Sequence, residues 1–209
     1  MMDILKNYVK NPMDIEKRSM EIIESEMQAH DFSKEELPVV KRVIHTTADF
    51  EYQNLIEFSG NPIEVGKELI KKGCKIYTDT NMVFSGINKR ILSKYGCEIK
   101  CMVHDEDVVA IAKEKGITRS MAGIEKAAKE GYEIFAIGNA PTALFKIYEM
   151  IKTGEINPKL IIGVPVGFVG AMESKELLGE YDVPFIRING RKGGSPVAAT
   201  ILNAIMYQL

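Results

Sequence analysis

Three histidines, three cysteines and a scatter of cations are the side chains of this 209-residue sequence most able to do chemistry near neutral pH. His45 stands in the stretch KRVIHTTADFEY, where a helical pattern begins to fail. A helix continued from Leu37 puts Leu37, Val40, Val43 and Ile44 on one apolar stripe and His45 about 140° from Val40, at roughly 100° per residue. His45 then shares a side with Lys41 and Asp49, with Arg42 one turn earlier. It is therefore not core filler. In the last helical turn the backbone dipole favours imidazolium, while Lys41 and Arg42 oppose it. An imidazole there suits donating and recovering a proton, and an exposed structural histidine fits the same pattern.

Ser19 falls on the helical face of Ile15, Ile22 and Ile23, where a hydroxyl either returns to an i−4 carbonyl or contacts a ligand. Arg119, in KGITRSMAGIEKAAKE, lies near a helix start, where a cation is unfavourable by about 0.3–1 kcal/mol unless something negative is near. A surface salt bridge or a ligand carboxylate would answer that. In AIGNAPTALF, Gly138 and Asn139 end a strand and Pro141 opens a helix. The free N–H groups of that turn either bind an anion or close through the Asn139 side chain. NGRKGGSP brings Arg191 and Lys192 to a glycine-rich loop ahead of another helix.

Much chemistry is excluded. There is no GxxxxGK[ST] or GxGxxG turn, no GxSxG elbow and no HExxH, so nucleotide binding, serine hydrolysis and a protein-held zinc are not expected. Cys74, Cys97 and Cys101 form no CxxC pair and read as reduced, core-filling thiols. His30 and His104 read as solvated loop residues. A formal charge of −2 supplies no basic field for nucleic acid or an anionic membrane. The apolar stretch LIIGVPVGFVGAM is broken by Gly and Pro and falls short of the roughly 20 residues that span a bilayer. The opening MMDILKNYVKNPMD has no long apolar core or small-residue cleavage site, so a cytoplasmic protein without a leader is expected.

The elements that must position these residues follow from periodicity. The first third is helical: MDIEKRSMEIIESEMQ, then FSKEELPVVKRVIH with Ser33 and Glu36 as a capping box, then PIEVGKELIKKG from Pro62 to Gly73. Five β-rich runs follow: CKIYTD, EIKCMV, EIFAIG, LIIGVPV and PFIRI. They alternate with helical stretches, and SPVAATILNAIMYQL closes the chain. That alternation predicts one α/β domain over residues 1–209, a five-stranded parallel sheet covered on both faces behind an N-terminal helical segment. Ligands would collect at the carboxyl ends of its strands.

Taken together, RVIHTTADFEY, GITRS, AIGNAPTALF, PVGFVGAMESKELL and NGRKGGSPVAATILNAI closely resemble the precorrin-8 methylmutase family of cobalamin biosynthesis, from about residue 12 to the C-terminus. HTTADFEY and DTNMVFSG look more like its anaerobic, cobalt-dependent branch. The resemblance implies a flavodoxin-like three-layer fold and an isomerase. Its reaction would be a 1,5-sigmatropic shift of the methyl on carbon eleven of cobalt-precorrin-8 to carbon twelve, yielding cobyrinate. By the same resemblance His45 protonates or hydrogen-bonds the ring, and Ser19, Arg42 and Arg119 contact substrate. Asn139, Gly194 and Ser195 are carried over from the GNAPT and GGSP loops. It further implies a homodimer with sites near the interface, and no cofactor beyond cobalt brought in by the macrocycle. The alternatives are the metal-free precorrin-8X methylmutase that gives hydrogenobyrinate, a non-catalytic corrinoid carrier, and a flavodoxin-like phosphate or nucleotide binder.

Overall fold

The first elements form where their caps dictate. A computed structural model describes residues 9–209; the opening stretch read for a leader lies largely outside them. Asn11 Oδ1 accepts from the amides of Met13 and Asp14, and Pro12 takes the first position of α1 (Pro12–Glu26). Before α2 (Glu36–Thr47), the Ser33 amide donates to Glu36 Oε2 at 2.9 Å and the Glu36 amide to Ser33 Oγ at 3.2 Å, the reciprocal box expected. A short turn, α3 (Tyr52–Leu55), leads into β1 (Ile56–Ser59). Then come α4 (Pro62–Lys71), β2 (Lys75–Thr78), α5 (Asn81–Gly86), α6 (Lys89–Lys94) and β3 (Glu98–Lys100). They are followed by α7 (Glu106–Lys115), α8 (Arg119–Lys129), β4 (Ile134–Ile137) and α9 (Pro141–Lys152). The chain ends with β5 (Leu160–Gly163), α10 (Ala171–Glu176), a 3-10 turn (Leu177–Glu180), β6 (Phe185–Ile188) and α11 (Ser195–Met206).

The sheet has six strands, in the order β1-β6-β5-β4-β2-β3. The five from β2 to β6 are the expected parallel set, and their order reverses between β2 and β4. The strand count expected from the sequence is corrected by β1, which lies antiparallel on β6 at the edge. Four residues are too short for periodicity to announce a strand. What pins β1 is its partner: Glu57 sits opposite Arg187, which clasps both carboxylate oxygens at 2.7–3.0 Å.

Alternating strand residues feed two cores. Ile76, Ile134, Leu160 and Ile186 pack on the face covered by α2, α4 and α11. Tyr77, Phe135, Ile161 and Phe185 pack on the face covered by α7, α8 and α9. The result is a three-layer α/β arrangement, with α1 lying outside α2. That outer position corrects the face read for α1. Ile23 is buried, but Ile15 and Ile22 are each 45% exposed, because a helix outside the layer buries only one narrow stripe.

Candidate active site

Three loops meet at the carboxyl edge of the sheet, where strand order reverses. Asp79 directly follows β2 and is buried. Its Oδ1 accepts from the Gly138 amide at 2.9 Å, and its Oδ2 from the Asn139 and Ala140 amides at 2.8 Å each. The amides ahead of α9 are therefore filled by the chain's own carboxylate. This corrects both readings of that turn, the external anion and the Asn139 side-chain closure; the Asn139 side chain lies exposed on the rim. Burial holds Asp79 above its ordinary value of 3.8, against the three amides that lower it. The approach is close: a Cβ on Gly138 would stand 2.7 Å from the Ser195 Cα. Ser195, buried at the start of α11, has its Oγ 3.0 Å from Thr80 Oγ1, and the Gly194 amide donates to the Val164 carbonyl at 2.8 Å.

His45 reaches the same edge by a different route. Because β1 is antiparallel, Ile56 pairs with Ile188 at the carboxyl end of β6, and Asp49, just after α2, is paired there to Lys192 of the loop that follows β6. The imidazole is exposed on the flank of α2. It lines an open groove of about 240 Å³ with Ser19, Ile22, Ile23 and Phe50, and with one carboxylate, Glu26. The groove is mostly apolar. It falls below the roughly 300–1,000 Å³ of ordinary ligand pockets. Ser19 Oγ donates to the Ile15 carbonyl at 2.8 Å, the i−4 bond weighed for it, while also lining this groove.

The two arginines differ. Arg42 is ion-paired to Glu16 of α1, and its guanidinium stands 5.3 Å from the Tyr207 ring, so it ties α1 and the C-terminal residues to α2. Arg119 is the first residue of α8 and exposed, and no carboxylate pairs with it among the described residues. Of the two answers weighed for it, the surface salt bridge is absent among the described residues. Its neighbour Thr118 bonds Thr142 in the first turn of α9 at 3.0 Å, so Arg119 stands near the Asn139 rim, in the layer opposite His45. It does not line the His45 groove. The structure thus joins Ser19 with His45, gathers Asn139, Gly194 and Ser195 at the strand-order reversal, and leaves Arg119 apart.

With that geometry, comparison with known proteins becomes decisive. Residues 14–208 match the family model described as "Precorrin-8X methylmutase". This chain belongs to the precorrin-8X methylmutase family. It is accordingly an isomerase that transfers a methyl group within one molecule. It is similar to two proteins named "Cobalt-precorrin-8 methylmutase". The one from Priestia megaterium is 47% identical over 93% of this chain and 87% of its own length. The one from Leptospira interrogans is 46% identical over 92% of each. The crystal structure of a precorrin-8x methyl mutase from Thermus thermophilus superposes with a TM-score of 0.86 at 39% identity, covering 93% of this chain and 95% of that one.

Sequence reasoning missed several residues at this edge. Periodicity places Asp79 where the run CKIYTD meets the ligand-facing loop DTNMVFSG and gives it no role. Its one signal is an acid placed between an apolar run and the capping Thr80. Lys192, read as a loop cation, is paired to Asp49 and lies 2.7 Å from Glu51, just beyond the His45 helix. Each partner shifts the other: the carboxylates raise Lys192, and Lys192 lowers Asp49 below 3.8. Phe168 and Val169 are 83% and 90% exposed, and the Arg191 guanidinium stands 5.5 Å from the Phe168 ring. Nothing in the sequence separates these apolar residues from core. The three cysteines are free, with Cys74 buried, and no metal-holding cluster of His, Cys, Asp and Glu occurs among the described residues. No helix there is long and apolar enough to cross a membrane.

Proposed function

We propose that this chain moves the methyl group of cobalt-precorrin-8 from carbon eleven to carbon twelve of the ring, giving cobyrinate, with His45 as proton donor and acceptor. The observation that carries the assignment is the imidazole itself. It stands exposed on an apolar groove at the ligand-facing edge of the sheet, sharing that groove with Ser19. An intramolecular shift needs the right tautomer and ring shape more than an external reagent, so one well-placed proton suffices. Ser19 shares the groove with the imidazole, and Arg42 stands one turn earlier on α2, paired to Glu16. Arg119, unpaired, is free to take a carboxylate arm of the substrate. Phe168 with Arg191 offers a flat apolar surface beside a cation, which suits the fringed edge of a macrocycle. Asn139, Gly194 and Ser195 would line the rim between these groups. The cobalt-loaded substrate is favoured over the metal-free one because both curated relatives described above carry the cobalt-precorrin-8 name. The protein needs no cofactor of its own in this reading, since cobalt enters already chelated by the substrate.

The flavodoxin-like reading is supported by the strand order, and the chain acts as one catalytic domain in the cytoplasm, away from membranes and nucleic acid. A homodimer is part of the proposal. The His45 groove is small, and α1 leaves Met13 74% and Ile15 45% exposed beside it, an apolar face that a second copy would cover. The test is absorption spectroscopy with purified cobalt-precorrin-8 and metal-free precorrin-8X in parallel, since the shift changes ring conjugation. Turnover of the cobalt form by the wild type and its loss in His45→Ala, with substrate still bound, is the expected outcome. Full turnover by His45→Ala would remove the imidazole from the mechanism. A burst of one turnover without product release would favour a carrier.

A further inference from the structure

Lys175, on α10, is 1% exposed, and its ammonium has one partner among the described residues, the Lys192 carbonyl at 2.9 Å. Burying an ammonium on a single hydrogen bond opposes folding. Burial pushes this one from 10.5 down to about 8. A methionine of similar length would fill the same space without that penalty, so packing alone does not explain a lysine here.

What the ammonium holds is instructive. Its acceptor is the backbone of the residue whose own side chain crosses to Asp49 and Glu51, immediately after the His45 helix. The base of the strut is itself locked: Arg187 Nη1 donates to the Lys175 carbonyl at 2.9 Å while the same guanidinium clasps Glu57. The residue after Lys192, Gly193 (φ 147°), passes so close to β5's exit that a Cβ would stand 2.2 Å from the Val164 carbonyl. The Tyr52 hydroxyl reaches the Gly193 carbonyl at 3.5 Å. The loop is thus held twice at Lys192, through its carbonyl by a buried cation and through its own side chain to the residues after the His45 helix, two consecutive links of one chain of contacts.

We propose that Lys175 is a positioning residue, whose ammonium fixes the Lys192 carbonyl and thereby aims the Lys192 side chain at Asp49 and Glu51, docking the 189–195 loop on the end of the His45 helix. This rests on the reading of His45 as the proton-handling group. Lys175 touches no substrate; it acts through Lys192.

Full-length Lys175→Met, Lys192→Met, the double variant and Lys192→Arg separate this role from a structural one. Lys175→Met is expected to melt no lower than wild type, yet to lose about tenfold to a hundredfold in kcat, the scale of a slight misplacement at a reacting centre, with KM little changed. The double variant loses no more than the worse single one, because both act along one chain of contacts. Lys192→Arg restores most of the rate, since a guanidinium also bridges two carboxylates. Hydrogen exchange at the Gly193 and Gly194 amides quickens in both methionine variants. Wild-type kcat in Lys175→Met, or additive losses in the double variant, would overturn the proposal. Should Lys175→Met not fold, the Lys192 pair still decides, because failure of arginine to rescue also overturns it. If the wild type turns over neither tetrapyrrole, the methylmutase reading fails separately, and unchanged exchange at Gly193 and Gly194 then overturns the strut.

Discussion

One carboxylate organises the point where strand order reverses. Asp79→Ala leaves three N–H groups without acceptors in a buried turn, at about 1–3 kcal/mol each. The variant should therefore lose several kcal/mol of unfolding free energy in a urea titration. Asp79→Asn, which keeps one acceptor oxygen, should lose distinctly less; equal stability of wild type and alanine variant would contradict the hydrogen-bond account. The sequence could not announce this role, because the donors lie 59 to 61 residues away in the chain. By contrast, the off-stripe placement of His45 and the return of Ser19 to the Ile15 carbonyl were legible, since both depend on helical repeat alone.

At the level of elements, local chemistry was readable wherever a cap or a long apolar period existed. The Ser33–Glu36 box and the helix from Pro62 are examples. β1 was not, for its four residues are a strand only because β6 offers a ladder and Arg187 a counter-charge. Burial of a charged residue is likewise a property of the elements around it. Lys175, held near 8 in the fold against 10.5 ordinarily, binds fewer protons folded than unfolded between those values. Stability therefore gains from this group as pH rises from about 8 to 10.5, and the gain is complete above the upper value. Tyr77, Tyr132 and Cys74 act oppositely: burial raises all three, so above their ordinary values the unfolded chain sheds protons that the folded one keeps, and stability falls as pH climbs. The quantity to measure is the difference between wild type and Lys175→Met in chemical unfolding at both ends of that range. It should shift toward wild type with pH; a constant difference would mean the buried ammonium is not depressed.

The whole molecule raises a question that one protomer does not answer. His45 and Arg119 stand in opposite layers, and Arg119 does not line the His45 groove. In the proposed homodimer, an Arg119 from one copy can serve the His45 of the other. Mixing inactive His45→Ala and Arg119→Ala proteins after subunit exchange should then recover about a quarter of wild-type sites, by random pairing of two-fold related chains. Recovery is read by the same absorption assay. No recovery would assign both residues to a single protomer's site.

The sequence by itself determined the layered α/β class, the helical frame around His45 and the family, because periodicity, caps and contiguous motifs are written in neighbouring residues. Tertiary structure alone decided that Asp79 fills the turn amides, that Arg119 is unpaired, that α1 faces outward and that a buried lysine braces the loop beside His45. Those facts depend on which distant side chains share a desolvated space, and no local pattern encodes that.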